Sequence, residues 1–314
     1  MSRLRSLCTA LLTTLAIGLA TPAMADGVTT TITPTYRSVS EILAASPKSD
    51  WYRLDQRNLI YITLANDAKV VMELNDTFAP EHAKQIRLLA SQKYWDDLTV
   101  YRVQDNYVAQ FGALDYETDI LAKPLPKDAQ KLPAEFSIPK DSIRLTALGD
   151  KEPYSDQIGF VDGYPVAVKD NQAFLVHCYG MVGAARDNAP DSSNATELYV
   201  MIGQPARHID RQITVVGRVV HGIEHLSTLT RGKGSMGFYT DDQPAPMGIK
   251  SIRVGTSLPA SEQMQFDALK TDSQTFVDVI DARRHMQGEW FVAPLSGGMG
   301  ICDTRQTIQL VKSD

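Results

Sequence analysis

Short strand-forming segments dominate the middle of the chain and limit the folds it can adopt. Residues 59–64 and 70–74 are rich in apolar and β-branched side chains and flank the turn-forming pair Asn66-Asp67, which predicts a β-hairpin. Similar segments recur between turns at 99–103, 107–110, 174–177, 181–185, 197–202, 214–220 and 249–254. Many short strands with few helices predict a mainly β fold, either a barrel or a sandwich capped by helices.

Helical patterns are few and lie around this β-rich region. Pro80 in a first turn and Glu81 near the positive end of a helix dipole predict a helix that begins at Ala79 and ends near Tyr94. Apolar periodicity predicts further helices over 41–45, 223–229 and 273–285. His82 and His285 are expected on solvated faces of two of these helices.

The first 25 residues have the pattern of a secretory signal peptide. Arg3 and Arg5 precede an uncharged apolar stretch over 7–20, and Ala23-Met24-Ala25 is a small-x-small cleavage pattern. We expect cleavage after Ala25 and a periplasmic or secreted protein. A membrane anchor is the alternative, but the stretch is short for a spanning helix of about 20 residues. No other segment is long and apolar enough, so stable membrane insertion is not expected.

Composition and charge limit the classes of molecule that the chain is expected to bind. The chain has 314 residues, 43% hydrophobic and 22% charged, as in globular proteins. Its net charge of −6 falls to −8 once the two arginines of residues 1–25 are removed, since that segment holds no acidic residue. Without a run of Lys and Arg, a nucleic-acid partner is not expected. Cys178 and Cys302 either pair in an oxidising compartment or remain two buried thiols, and the sequence leaves both open.

The remaining chain divides into a core domain and two extensions. Residues 26–58 form an N-terminal extension, 59–255 the core domain, and 256–314 a C-terminal extension packed on it, because about 60 residues are marginal for folding alone. Prolines at positions 124, 126, 133 and 139 predict an irregular stretch over 115–170. Residues 290–292 and 308–311 are expected to form a terminal strand pair.

Three sequence blocks in the core domain resemble one known family. The first is YWDDLTVYRV at 94–103 followed by YVAQ at 107–110. The second is YGMVGAA at 179–185 followed by TELYV at 196–200, and the third is DRQITVVG at 210–217 with Val219 and Gly222 beyond it. In this order and spacing, over roughly residues 59–255, they resemble the cyclophilin-type peptidyl-prolyl isomerases. The resemblance implies a cyclophilin-like closed β-barrel capped by helices and isomerase activity on proline-containing unfolded or folding polypeptides. It implies neither a metal nor another cofactor.

The resemblance assigns catalysis to Arg102 and Gln110. A prolyl amide has a rotation barrier of about 18–20 kcal/mol because of its resonance. When the amide twists, the proline nitrogen regains its lone pair and can accept a hydrogen bond. Arg102 matches the family's essential arginine, which stays protonated and can donate that bond in the transition state. Gln110, eight residues on, matches the glutamine that binds the substrate backbone.

Other positions match the family's substrate-binding residues. The apolar slot for the proline ring falls on Tyr107, Val108, Tyr199 and Ile209, all of which could instead be ordinary core residues. The backbone of Ala185 and Arg186 matches the segment that pairs with the substrate chain. The chain departs from the family at four positions: His208 at the aromatic rim, Ile213 in place of a histidine, Phe111 in place of a glycine, and Glu197 in place of a glutamine.

Two other function classes compete with the isomerase. The departures at His208 and Ile213, together with the C-terminal extension, favour a catalytically weak cyclophilin-like module that binds proline segments without turnover. HGIEH at 221–225 spells a zinc-protease motif, which requires both histidines on one helix. Under the resemblance, His221 ends a strand and Gly222 makes a turn, which argues against the zinc hydrolase.

Overall fold

The computed structural model describes residues 37–115, 120–121 and 123–311. The signal peptide expected over 1–25, with its cleavage site after Ala25, lies outside the described residues. In chain order the strands are β1 (Trp51–Arg53), β2 (Leu59–Leu64), β3 (Lys69–Leu74), β4 (Thr99–Val103), β5 (Val108–Gly112), β6 (Leu114–Asp115), β7 (Ile120–Leu121), β8 (Ile138–Pro139), β9 (Thr146–Ala147), β10 (Gln157–Val161), β11 (Tyr164–Lys169), β12 (Gln172–Leu175), β13 (Met181–Ala184), β14 (Leu198–Met201), β15 (Thr214–His221), β16 (Ile249–Val254), β17 (Phe266–Leu269) and β18 (Ile308–Leu310).

Eight antiparallel strands form a barrel, which confirms the predicted fold class. Their order is β16-β2-β3-β15-β13-β14-β5-β4. The two end strands meet, because Val100 N–H donates to Met247 O at 2.8 Å and Ile249 N–H donates to Leu98 O at 2.8 Å. The predicted hairpin over 59–74 is the pair β2–β3.

Side chains alternate between the two faces of the barrel wall and form two cores. The inner core includes Ala109, Phe111, Val200 and Val216, and the helix α2 (Pro80–Ser91) packs on it through Ile86 and its neighbours. The outer core takes the intervening positions of the same strands, among them Val108, Met181, Tyr199, Met201 and Val215. A period of two along each strand produces this split. One stretch of wall therefore faces two different environments.

A five-stranded antiparallel sheet packs on the outer face, and it corrects the irregular stretch predicted over 115–170. Its order is β8-β12-β11-β10-β9. Residues 157–161 and 164–169 form a hairpin around Asp162 and Gly163, both with positive φ. The four prolines at 124–139 lie before β9–β11, and Pro165 is accommodated within β11, so the prolines do not exclude regular structure in the second half of the stretch. Phe160 and Phe174 from this sheet enter the outer core.

The two extensions share a three-stranded sheet of order β1-β17-β18. Phe266 and Ala268 on β17 pack against Leu59, Tyr61 and Val71 of the barrel. The predicted pairing of residues 290–292 with 308–311 is wrong: Trp290 and Val292 are exposed and form no strand, whereas β18 pairs with β17. The apolar residues 290–292 fit a strand pattern, but β18 has its partner in β17, so no strand forms at 290–292.

The helices lie near the predicted positions. They are α1 (Val39–Ala44), α2 (Pro80–Ser91), α3 (Glu224–Ser227) and α4 (Gln274–Arg284). Pro80 opens α2 as predicted, but α2 ends at Ser91, before Tyr94. His82 is fully buried, contrary to the expected solvated face, because its Nδ1 lies 2.6 Å from the Glu135 carboxylate. No helix among the described residues is long and apolar enough to cross a membrane.

A disulfide joins the two halves of the fold. Cys178 and Cys302 are bonded, which decides between the two alternatives left by the sequence. Cys178 lies between β12 and β13, and Cys302 lies in the segment that leads to β18. The bond therefore fixes the C-terminal extension to the outer face of the core domain.

Candidate active site

The two predicted catalytic residues are direct partners in the barrel sheet. Arg102 on β4 is paired with Gln110 on β5, and Gln110 is paired with Tyr199 on β14. Directly opposed residues of antiparallel strands place their side chains on the same face. All three side chains therefore lie together on the outer face, with Gln110 in the middle.

Hydrogen bonds hold the Arg102 guanidinium in one orientation. Its Nη1 donates to Gln110 Oε1 at 2.8 Å, its Nη2 to Gln104 Oε1 at 2.5 Å, and its Nε to the backbone oxygen of Met236 at 2.8 Å. A guanidinium is planar and its five N–H donors have fixed directions, so these three bonds fix the plane in which all of its donors lie. The side chain is half-buried, so an acceptor can reach it.

Two aromatic rings enclose the same guanidinium. Its Cζ lies 5.9 Å from the ring centre of Tyr107 and 5.6 Å from that of Phe238. Such cation–π contacts favour the charged, oriented form of arginine. Phe238 also stacks on Tyr101 at 5.9 Å. The Arg102 guanidinium is therefore in contact with two aromatic rings, one from the residue before β5 and one from a distant loop.

The Gln110 amide is fixed from its other side by Tyr101. Gln110 Nε2 donates to the Tyr101 hydroxyl at 2.6 Å, so its amide orientation follows from its two partners. Burial, followed by the nearby Glu197 carboxylate, raises the pKa of Tyr101 well above its ordinary value. Tyr101 therefore stays protonated and can donate to Glu197. A β-bulge between Thr99 and Arg102 breaks the alternation of β4 at this point.

The predicted apolar slot is formed by side chains of the outer core. Val108 and Tyr199 are buried, whereas Tyr107, Ile209 and the departure Ile213 are half-buried and pack against the same cluster. His208 is exposed in the short 3₁₀ turn Arg207–Ile209, at the edge of the slot. The structure thus brings the slot residues to the face that carries Arg102.

A buried polar network continues behind Tyr199. Its hydroxyl lies 2.9 Å from His177 Nε2, and His177 Nδ1 lies 2.9 Å from Asp210 Oδ1. Because a carboxylate only accepts, Nδ1 carries the proton and Nε2 accepts from Tyr199. Burial raises the pKa of Tyr199 well above its ordinary value, which keeps that donor in place. Arg207 forms ion pairs with both carboxylates of the network: its Nε lies 2.6 Å from Asp210 Oδ2, and its Nη2 lies 2.6 Å from Glu152 Oε1.

The segment Ala185–Arg186 is held by bonds within the protein. The Ala185 N–H donates to Glu197 O at 2.8 Å, which extends the β13–β14 pairing by one residue. The Arg186 side chain turns back to Gln212 O at 2.7 Å and lies 5.7 Å from the Phe136 ring centre. Its side chain therefore anchors the loop, and pairing with a substrate chain stays a prediction for its backbone.

The other two departures from the family, Phe111 and Glu197, contribute to packing and hydrogen bonding inside the protein. Phe111 points into the inner core, where it is among the largest fully buried side chains. Glu197 accepts from Ala113 N–H at 2.7 Å. Its carboxylate occupies the space beside Gly112, where an added Cβ would approach Glu197 Oε2 to 2.1 Å. A glycine at position 112 therefore makes room for Glu197.

The histidines of the HGIEH motif do not share a helix. His221 ends β15, Gly222 has a φ of +79°, and α3 begins at Glu224. Among the described residues, no group of three or more His, Cys, Asp or Glu side chains is arranged to hold a metal ion.

Several residues of the site were not predicted from the sequence. Tyr101, Met236 and Phe238 surround Arg102 and Gln110, and His177 lies behind Tyr199. Residues 236 and 238 lie more than 130 positions from Arg102, in a loop without a family motif. Tyr101 directly precedes Arg102 in the sequence, and this adjacency could have indicated that it belongs to the site.

Comparisons with known proteins identify a matching family, relatives and a structure with the same fold. A family described as cyclophilin type peptidyl-prolyl cis-trans isomerase/CLD matches residues 59–254. Proteins of Brucella suis and Brucella melitensis, each named probable peptidyl-prolyl cis-trans isomerase, are 26% identical over 184 residues, which cover 57% of this chain and 74% of each relative. The crystal structure of cyclophilin AquaCyp293 from Hirschia baltica shares the fold, with a TM-score of 0.66, 21% identity, and coverage of 89% of this chain and 100% of that one.

Proposed function

The chain belongs to the cyclophilin-type peptidyl-prolyl cis-trans isomerases, which act on proline-containing polypeptides, and from this we propose how and where it works. Arg102 stabilises the twisted prolyl amide, and the substrates are exported proteins that are folding. The observation that carries this proposal is the oriented Arg102 guanidinium, which is bonded to Gln110 at 2.8 Å and half-buried, so that a substrate can reach it.

Arg102 acts only when the amide twists. In the planar amide the proline nitrogen has no available lone pair, so it accepts no hydrogen bond. In the twisted state it does, and an N–H of the Arg102 guanidinium donates to it. An interaction that exists only in the transition state lowers the barrier without tightening ground-state binding. The bonds to Gln104, Gln110 and Met236 O hold the donor in advance, so little reorganisation is needed.

Gln110 and the apolar slot hold the substrate. Gln110 keeps one acceptor lone pair on Oε1 and one N–H on Nε2 beyond its bonds to Arg102 and Tyr101. These can bind the peptide groups next to the proline. The proline ring would pack against Tyr107, Ile209 and Ile213, which are half-buried in the structure and offer apolar contact. His208 at the edge then influences which residues flank the proline.

An exported location is supported by the sequence of residues 1–25 and by the Cys178–Cys302 disulfide. Disulfides persist in oxidising compartments and are rare in the cytosol. Fractionation of cells that express the full chain tests the location. We expect a periplasmic or secreted form whose mass corresponds to residues 26–314. A cytoplasmic form that retains Met1–Ala25 would contradict it.

Refolding of a protein whose slow phase is limited by prolyl isomerisation tests the activity. We expect the slow rate constant to rise in proportion to the amount of the chain added. The alternative is a module that binds proline segments without turnover, motivated by His208 and Ile213 at the slot. Binding of a proline peptide without any acceleration of the slow phase would support that alternative.

A further inference from the structure

A second cleft lies between the barrel and the C-terminal extension. It has a volume of about 300 Å³, within the range of small ligand sites, and none of Arg102, Gln110 or Tyr199 lines it. The Cys178–Cys302 disulfide forms part of its wall. A groove of about 450 Å³ continues from it and shares six lining residues: Val219, Ile223, Arg283, Arg305, Gln306 and Ile308.

Two arginines face this cleft without a carboxylate partner. Arg283, at the end of α4, bonds to the Thr304 hydroxyl, and Arg305 is exposed beside it. In the part of the chain that the structure describes, neither makes an ion pair. Burial, followed by the positive charge of Arg305, lowers the pKa of Arg283. By contrast, most other arginines in the described part of the chain contact a carboxylate: Arg37, Arg53, Arg57, Arg87, Arg207, Arg211, Arg218, Arg231, Arg253 and Arg284.

The other charged groups of the cleft and the adjoining groove do not pair with Arg283 or Arg305. Arg218 bonds to Glu73 at 2.8 Å and is buried. Asp303 accepts from Gly300 N–H at 2.7 Å, and Glu224, in the adjoining groove, lies 3.8 Å from His225. Arg283, which is half-buried, and Arg305, which is exposed, are thus two like charges without a direct counter-ion, and a bound anion would relieve their repulsion. A guanidinium pair suits a carboxylate, because each fork can donate to both oxygens.

The rest of the cleft suits an extended polypeptide. Its wall includes the apolar side chains of Met181, Val219, Ile223 and Ile308, and the exposed Tyr179. Ile308 belongs to β18, the edge strand of the three-stranded sheet, which pairs with β17 on one side. An edge strand presents backbone groups that an added strand can pair with.

We propose that this cleft binds the C-terminal end of an extended, apolar polypeptide, with Arg283 and Arg305 on its terminal carboxylate. It would be a second binding site for a folding polypeptide, separate from the slot beside Arg102 and Gln110. The proposal rests on the proposed function only in taking a folding polypeptide as the partner. The carboxylate supplies the missing counter-charge, apolar side chains contact the wall, and the backbone extends β18.

Binding of a dye-labelled apolar pentapeptide without proline tests this site. The peptide Val-Ala-Leu-Phe-Val with a free carboxylate is compared with its C-terminal amide on the mature, disulfide-bonded chain. We expect the amide to bind at least tenfold more weakly, since it lacks the negative charge. Arg305→Gln, whose side chain is exposed and safe for folding, and Arg283→Gln should each weaken binding of the free peptide by a similar factor. Arg144→Gln, an exposed arginine at a different groove, is the matched control and should bind like wild type.

Isomerisation of a short blocked proline peptide separates this proposal from the proposed function. All three arginine variants should retain the wild-type rate. Equal binding of the free and amidated peptides would overturn the second site, and so would wild-type affinity in both cleft variants. Displacement of the peptide by inorganic phosphate at lower concentration than by unlabelled peptide would also overturn it, in favour of a small-anion site. Peptide binding without isomerisation would leave this site standing and defeat the proposed function instead.

Discussion

The hydroxyl of Tyr199 lies 2.9 Å from Nε2 of His177, inside the outer core and directly behind the prolyl slot. This hydroxyl connects the floor of the slot, through His177, to Asp210 and, through Arg207, to Glu152.

Replacement of Tyr199 by phenylalanine should destabilise the protein while preserving activity. Tyr199→Phe removes a buried hydrogen bond and leaves His177 Nε2 without a donor, at a cost of about 1–3 kcal/mol in the free energy of unfolding. The apolar ring stays, so the prolyl isomerisation rate should not change. Urea unfolding measures the effect. Tyr154→Phe at an exposed position is the control, and an equal, negligible loss in both variants would contradict the network.

Glu152 should act on the slot from a distance. Glu152→Gln removes the charge that faces the buried Arg207, and loss of hydrogen bonds to a charged group costs about 1.5–3 kcal/mol. Arg207 begins the 3₁₀ turn that carries His208 and Ile209, so we expect KM for a proline peptide to rise with little change in kcat. Steady-state kinetics measure this split. If kcat fell and KM held, Glu152 would not position the slot.

The resemblance could indicate Arg102 and Gln110 together because the family places its glutamine eight residues after its arginine, and the structure pairs the two residues across β4 and β5. Their environment could not be predicted in the same way. Met236 and Phe238 reach Arg102 from a distant loop, and a bulge in β4 turns Tyr101 toward Gln110 against the usual alternation. Contacts that depend on tertiary packing or on a break in strand period leave no regular pattern in the sequence.

The errors in the fold have the same origin. His82 was expected in solvent because its helix pattern permits exposure, but Glu135 from a distant loop covers it. Residues 290–292 are apolar enough for a strand, yet a strand needs a partner, and β17 is taken by β1 and β18. The hairpin over 157–169 contradicts the prediction because the prolines at 124–139 indicate irregular structure only near themselves, whereas the prediction covers the whole stretch. In each case the local pattern was compatible with two structures.

The disulfide should contribute a large part of the stability. It closes a loop with a sequence separation of 124 residues, for which chain entropy gives about 4–5 kcal/mol. The double variant Cys178→Ser/Cys302→Ser should therefore unfold at a lower guanidinium concentration than the oxidised chain. Reduced wild type is the control and should match the double variant. An unchanged midpoint in both would show that the bond does not constrain the unfolded chain.

Glu135 should make stability depend on pH in the acid range. Burial raises the pKa of its carboxyl, but bonds from the His82 ring and from the N–H groups of Glu81 and His82 outweigh burial and set it below the ordinary 4.5. A lowered pKa stabilises the folded state fully above pH 4.5, and this stabilisation disappears as the pH falls through the folded-state value. The difference in unfolding free energy between wild type and Glu135→Gln should therefore be largest near neutral pH and shrink as the pH falls below 4.5.

Urea unfolding of both proteins across the acid range checks this dependence. Glu289→Gln, at an exposed position, is the matched control and should follow wild type throughout. A difference between wild type and Glu135→Gln that grew toward low pH would contradict the assignment.

Catalysis by Arg102 is tested most directly by the isomerisation rate of a short proline peptide with wild type and Arg102→Ala. Arg53→Ala, which removes an arginine from the sheet of the extensions, is the control and should keep the wild-type rate. Loss of one donor that acts only in the transition state should lower kcat/KM by about 100-fold or more, with the fold intact by circular dichroism. A wild-type rate in Arg102→Ala would contradict the mechanism.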